Sequence, residues 1–315
     1  MHSLGGGNRS PGAVSAPSEP GREVAGAVPG CLAPLDEVSA PGWTPPAHAT
    51  DCHFHINGPY DRYPLSEGRI YDPPAALIPD YLRVARRLGL ERMVVVQPST
   101  FGTDNACTLD AVQALGPART RAVVVVDDEV SEATLGAMHA AGARGVRYNV
   151  IHGNGPTLGC LARLAERLAP LGWHIQFYGD AERLPDLEPV LAALPVPVVL
   201  DHMAGVTGAR GVDSAGFRAA ERLLASGRAY VKLCAYRSSA QGFPYPDVDP
   251  IGRRFVAAAP ERCLWGTDWP HPSLFGATQM PDDGRLLDLL GAWAPTQALR
   301  QAILVDNPAR LYGFD

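Results

Sequence analysis

From Thr50 onward, short apolar runs alternate with stretches of helical periodicity. Apolar, β-rich runs stand at 51–56, 92–97, 121–126, 145–149, 173–178, 196–202, 229–234 and 263–267. Nearly continuous runs of this length are the pattern of parallel strands buried on both faces. Between them, at 79–88, 105–115, 131–141, 157–171, 183–194, 214–225, 249–259 and 282–292, apolar residues recur every three to four positions, as on helices with one buried face. Eight strands alternating with eight helices is the α/β count of a single closed (β/α)8 TIM barrel. An open, doubly wound sheet has the same periodicity. No run is followed by Gly-x-Gly-x-x-Gly or a phosphate-cradling loop, however, which argues against the nucleotide site of such sheets. Helical text at 298–304 and 307–312 is expected to close the bottom or side of the barrel.

Residues 1–47 depart from this pattern. Gly, Pro, Ser and Ala dominate them, and a disordered or loosely attached extension is expected, touching the barrel near Trp43. Residues 48–315 then form the barrel domain. Hydrophobic residues are 46% and charged residues 19% of the chain, ordinary for a soluble enzyme with a large core. A net charge of -6 leaves no basic footprint for nucleic acid. No stretch reaches the length of a membrane span, and the N-terminus has no apolar segment of signal-peptide type. Six scattered cysteines without paired spacing read as buried free thiols in a reducing, cytoplasmic setting. A monomer or homodimer acting on a small molecule is expected.

Polar residues gather where the strands end. His53 and His55 lie two apart on the first strand and are expected to face one way, with Cys52, Phe54 and Ile56 facing the other. Gln97 and Ser99 follow the second strand, Arg147 and Asn149 end the fourth, and Tyr178 ends the fifth. Asp201 and His202 end the sixth, Lys232 and Arg237 belong to the seventh, and Asp268 follows the eighth. In a barrel of this type, reacting groups come from the C-terminal strand ends and the loops after them. Paired imidazoles can ligate a metal or donate to a developing oxyanion. A carboxylate beside imidazoles can move a proton. Arginines grip carboxylates with two parallel hydrogen bonds. Strand alternation turns Asp201 away from His202, into a structural role.

Four segments carry a family resemblance: Asp-Cys-His-Phe-His at 51–55, Val-Leu-Asp-His-Met-Ala-Gly at 199–205, Lys-Leu-Cys-Ala-Tyr-Arg at 232–237 and Trp-Gly-Thr-Asp-Trp-Pro-His-Pro at 265–272. Over residues 48–315 the chain resembles the amidohydrolase superfamily (amidohydrolase-2 type), in its lactonase branch of 2-pyrone-4,6-dicarboxylate lactonases. The resemblance implies a distorted TIM barrel and a hydrolase that opens a carboxylate-bearing lactone in aromatic or sugar-acid catabolism. It implies Asp268 as the general base toward water, with His53, His55 and His202 polarising the ester carbonyl. It places Arg147, Arg237, Tyr178, Ser99 and Tyr71 against the substrate. Two departures stand out. Tyr148-Asn149-Val150-Ile151-His152-Gly153 lacks a second arginine, whose place His152 could take, and Ser273 stands where an Asn often follows Pro-His-Pro.

Metal-dependent relatives with two ions use a bridging carboxylated lysine or Glu on the fourth strand and a His on the fifth. Here Arg147, Asn149 and Tyr178 occupy those places, and arginine cannot ligate a cation. His174 lies too deep to replace them. Metal-independent catalysis is the leading expectation, with no cofactor required. A single Zn2+ on His53, His55, His202 and Asp268 is the alternative. Two other functions stay open: a zinc-dependent decarboxylase on the same barrel, and a non-catalytic carboxylate-binding barrel, which Asp268 disfavours.

Overall fold

The computed structural model describes residues 28–151 and 155–315. Its strands are β1 (Thr50–Phe54), β2 (Arg92–Val96), β3 (Thr120–Val124), β4 (Ala143–Asn149), β5 (His174–Tyr178), β6 (Val198–Leu200), β7 (Ala229–Leu233) and β8 (Cys263–Trp265). They form one parallel sheet in sequential order. The helices that follow them are α1 (Ile78–Leu88), α2 (Ala106–Leu115), α3 (Glu132–Ala140), α4 (Leu161–Leu168), α5 (Leu184–Ala193), α6 (Ala215–Ala225), α7 (Asp249–Ala258) and α8 (Asp283–Trp293). This is the expected (β/α)8 barrel, with most element ends within a residue or two of the sequence reading.

Alternation sorts the strand residues into two cores. Val95, Val124, Val146, Phe177, Leu200, Leu233 and Trp265 pack outward beneath the helices. Val94, Val96, Val123, Val199, Tyr230 and Leu264 point into the barrel, where they meet Leu311, Tyr312 and Phe314 of the C-terminal segment. That segment is a plug at the N-terminal mouth, tied down by Arg121, whose guanidinium donates to the carbonyls of Tyr312 and Gly313. Above the apolar layer the interior becomes polar, with Arg147, Gln176, Lys232 and their neighbours buried.

The β8–β1 seam closes without a regular ladder. Asp51 bridges it: one carboxylate oxygen accepts from the amides of His53 and Thr267, the other from the hydroxyls of Thr267 and Tyr81. The Asp268 amide donates to the His53 carbonyl at 2.7 Å, and the His55 amide to the Trp269 carbonyl at 2.8 Å. Gly266 is required here, because a Cβ would come within 2.7 Å of the His53 backbone nitrogen.

Residues 28–47 lie along the barrel rather than apart from it. Ser39 donates from its amide and hydroxyl to Asp282, the Trp43 indole donates to the Leu287 carbonyl, and the Cys31 thiol accepts from the Ser273 amide. All six cysteines are free, five of them buried. Among the described residues, no helix is long and apolar enough to cross a membrane.

Candidate active site

A small chamber at the C-terminal end of the barrel, about 10 Å³ in volume, is lined by His55, Tyr71, Arg147, Asn149, Tyr178, His202, Arg237, Asp268, Pro272 and Ser273. Seven of the nine residues given roles by the resemblance meet there, together with Ser273. His53 lies just beneath, with its Nε2 3.5 Å from Asp268 Oδ1, and Ser99 Oγ is 3.3 Å from the Tyr71 hydroxyl. Tyr178, His202 and Arg237 also line an adjoining cleft of about 550 Å³. The small chamber has room for about one water; the cleft can take a ring-sized ligand.

Backbone irregularities aim these side chains. In β1, Asp51 pairs with Met93 and Phe54 with Val95, so Cys52 and His53 share the place opposite Val94. This bulge turns Cys52 into the barrel interior with Val94 and Val96, against the expectation that it faces away with Phe54. After β6 the chain enters left-handed conformations at His202, Met203, Ala204 and Gly205, with φ of 47°, 55°, 59° and 71°. Strand alternation therefore stops at Asp201. Both Asp201 and His202 enter the polar interior, which corrects the expectation that Asp201 turns away. Gly205 permits the turn, since a Cβ there would lie 2.2 Å from the Gly179 carbonyl oxygen.

Asp268 is buried, and its Oδ2 accepts from the Tyr236 hydroxyl and from Arg237 Nε, each at 2.5 Å. Burial pushes this carboxyl up. Arg237, foremost among its neighbours, outweighs burial and holds it well below the usual carboxylate range. Its other oxygen, Oδ1, has no hydrogen-bond partner and lies 3.2 Å from His55 Nε2. The His55 Nδ1 contacts the Val96 carbonyl at 2.7 Å. A carbonyl only accepts, so Nδ1 carries the proton. Burial lowers the pKa of this ring, and the neutral imidazole turns a lone pair toward Asp268. Burial likewise lowers His202, to about 3, and holds His53 well below its ordinary value.

Beneath the histidines lies a network the sequence did not reveal. Asp201 Oδ2 accepts from Gln176 Nε2 at 2.9 Å and from Arg147 Nε at 3.3 Å. Lys232 Nζ donates to Gln176 Oε1 at 2.6 Å and lies 3.5 Å from Asp201 Oδ1. Gln176 carried no sequence signal beyond its parity with Tyr178 on β5. Tyr236 stood inside a quoted motif, but only the fold shows its hydroxyl on Asp268. His152, offered as a replacement carboxylate clamp, lies outside the described residues.

The donor set fits a cation. His53 Nε2, His55 Nε2 and Asp268 Oδ1 can all lie within 4.8 Å of one another, and the first and last are buried without a hydrogen-bond partner. His202 belongs to two other groups, one with His53 and Asp201 and one with Cys234 and Asp268. The expected four-residue zinc set is thus split, because His202 does not converge on the same point as His55.

A family model described as amidohydrolase matches residues 50–314. The 2-pyrone-4,6-dicarboxylate hydrolase of Comamonas testosteroni is 39% identical over 296 residues, covering 90% of this chain and 96% of that one. The 4-sulfomuconolactone hydrolase of Hydrogenophaga intermedia is 37% identical over 289 residues, covering 90% and 95%. A solved apo structure from Agrobacterium tumefaciens superposes with a TM-score of 0.81 at 32% identity, covering 88% of this chain and 98% of that one.

Proposed function

Since the chain belongs to the amidohydrolase family, we propose that it is a carboxylic ester hydrolase that opens a carboxylate-bearing lactone, with Asp268 as general base. The observation that carries this reading is the pair of facing acceptors, Asp268 Oδ1 and His55 Nε2, 3.2 Å apart at the floor of the chamber. A water held there donates one hydrogen bond to each acceptor and keeps a lone pair for the lactone carbonyl. Its oxygen attacks the carbonyl carbon while Asp268 takes the proton. His202 and His53 donate to the tetrahedral oxyanion. The ring C–O bond then breaks, and Asp268 returns the proton to the departing oxygen. His55 differs from the role the resemblance implies: with its proton on Nδ1, the neutral ring orients water rather than polarising the carbonyl.

Charge favours an acidic substrate. Around the site, Arg147, Arg237 and Lys232 face Asp201 and Asp268, leaving one positive charge in excess. A lactone carboxylate restores the balance, and the arginines suit its geometry. Tyr71, Ser99, Tyr178 and Ser273 are assigned to the ring and its substituents; the Ser273 Oγ is buried without a partner. A divalent cation would instead raise the excess among buried groups, so we read the reaction as metal-independent. Should zinc bind, His53, His55 and Asp268 would hold it, and it would supply a Lewis acid for the carbonyl. That donor set is the one observation favouring the second reading, a zinc-dependent decarboxylase.

The test is a panel of dicarboxylate, sulfonated and sugar-acid lactones followed by proton release at constant pH. Ring opening releases acid without gas. Evolution of carbon dioxide from a carboxylated substrate, with no lactone turned over, would overturn the proposal.

A further inference from the structure

Lys232 is the only lysine in the chain: every other one of the 27 lysine-plus-arginine positions is arginine. Its side chain is fully buried on β7, directly below the proposed catalytic histidines. A sequence that uses arginine for every other side-chain base of this kind keeps here a compact ammonium, whose three N–H groups can point to three separate acceptors. The structure supplies two such acceptors, Gln176 Oε1 at 2.6 Å and His53 Nδ1 at 3.3 Å, with Asp201 Oδ1 at 3.5 Å as the counter-charge.

Two groups make opposite demands on His53 Nδ1. Asp201 Oδ1, 3.4 Å away, would have a proton there. Lys232 Nζ, at 3.3 Å, would have a lone pair, since an ammonium has nothing to accept with. Of the two contacts only the one from Lys232 has hydrogen-bond geometry; the ring makes no hydrogen bond to Asp201 Oδ1, whose counter-charge is the same ammonium at 3.5 Å. We propose that Lys232 is a positioning residue that fixes the His53 tautomer: it donates to Nδ1, keeps the ring proton on Nε2, and so presents an N–H to the chamber and refuses a metal ion.

The converse follows from the same distances. Without Lys232, Asp201 takes the proton at Nδ1, and His53 Nε2 becomes a lone pair. That atom then joins His55 Nε2 and Asp268 Oδ1, two acceptors already in place, and the three complete a zinc-binding set. One side chain below the histidines thereby separates a hydrogen-bonding site from a metal site on the same scaffold. The inference concerns the tautomer and does not depend on which lactone is opened.

The experiment uses the full chain labelled with [15N]histidine. Long-range proton–nitrogen spectra distinguish the two tautomers, with the His53 signal assigned by its loss in His53→Asn. Zinc retention after equilibration with one equivalent of zinc and desalting is measured by atomic emission. The wild type is expected to show His53 protonated at Nε2 and to retain little zinc. Lys232→Met is expected to show Nδ1 protonated and to retain about one zinc per chain. Lys232→Arg, which keeps a donor, should resemble the wild type. A wild-type His53 protonated at Nδ1 overturns the proposal whether or not the variants fold, as does stoichiometric zinc in the wild type. Neither readout requires turnover, so failure here is distinct from failure of the lactonase reading.

Discussion

Replacing Asp268 with Asn isolates the proposed base with little change of shape. The amide oxygen can still accept from the Tyr236 hydroxyl and Arg237 Nε, which now reach Oδ2 at 2.5 Å. The new amide nitrogen faces His55 Nε2, a lone pair 3.2 Å from the present Oδ1, and can donate to it. Each polar atom therefore keeps a partner, and the cost to the fold is limited to one unpaired positive charge at Arg237. The chemistry loses more. General-base catalysis contributes about 10²–10⁴-fold, which at 1.36 kcal/mol per decade is roughly 3–5 kcal/mol of barrier. KM should stay level or fall, since Arg237 is released toward a substrate carboxylate. Initial rates of acid release under saturating lactone, with a melting curve as folding control, give both quantities. A folded variant with kcat within about threefold of wild type would refute Asp268 as base, because losing the base must cost about 10²-fold or more.

Arg237→Met should move the acid limb of kcat/KM upward. The base acts only when ionised, and Arg237 is what outweighs burial at Asp268; once it is gone, burial raises the carboxyl pKa and activity falls away at a higher pH. An upward shift is expected, and an unmoved limb contradicts the coupling. Gly205→Ala places a Cβ 2.2 Å from the Gly179 oxygen at a φ of 71°, and should lower stability by roughly 2 kcal/mol or more in a urea titration; an unchanged midpoint would show that the turn gives freely. Thr267→Val removes a hydroxyl donating 2.7 Å to Asp51 and should cost about 1–3 kcal/mol. Chelation should leave kcat unchanged; activity lost and then restored by zinc would overturn the metal-independent reading.

The strands were legible because each lies in a short, largely apolar or aromatic run buried on both faces, and their order followed from the regular helical intervals. The polar strand ends were legible for the same reason: with the barrel in hand, Arg147, Tyr178 and Asp268 had one place to go. What parity could not supply lies where the backbone leaves the extended conformation. The bulge in β1 sends Cys52 inward with His53, and the left-handed run from His202 brings Asp201 into the site instead of the wall. Tautomers were out of reach as well. His55 became an acceptor only when the Val96 carbonyl appeared against its Nδ1, a contact across 41 residues that no local spacing encodes. The segment 28–47 was read by composition alone, which misses that Asp282, Leu287 and Ser273 offer it fixed partners.

The seam through Asp51 sets an order of events during synthesis. Asp51 and Thr267 are 216 residues apart, and the Asp268 amide finds the His53 carbonyl only when the last strand meets the first. A nascent chain that has emerged just past β7, to Arg237, holds the histidines, both arginines and the lysine, yet has no base. Hydrolytic competence therefore arrives late and all at once, with the closing of the ring. Any fragment or permuted chain that parts β8 from β1 is expected to keep many of its helices and strands while losing the reaction entirely.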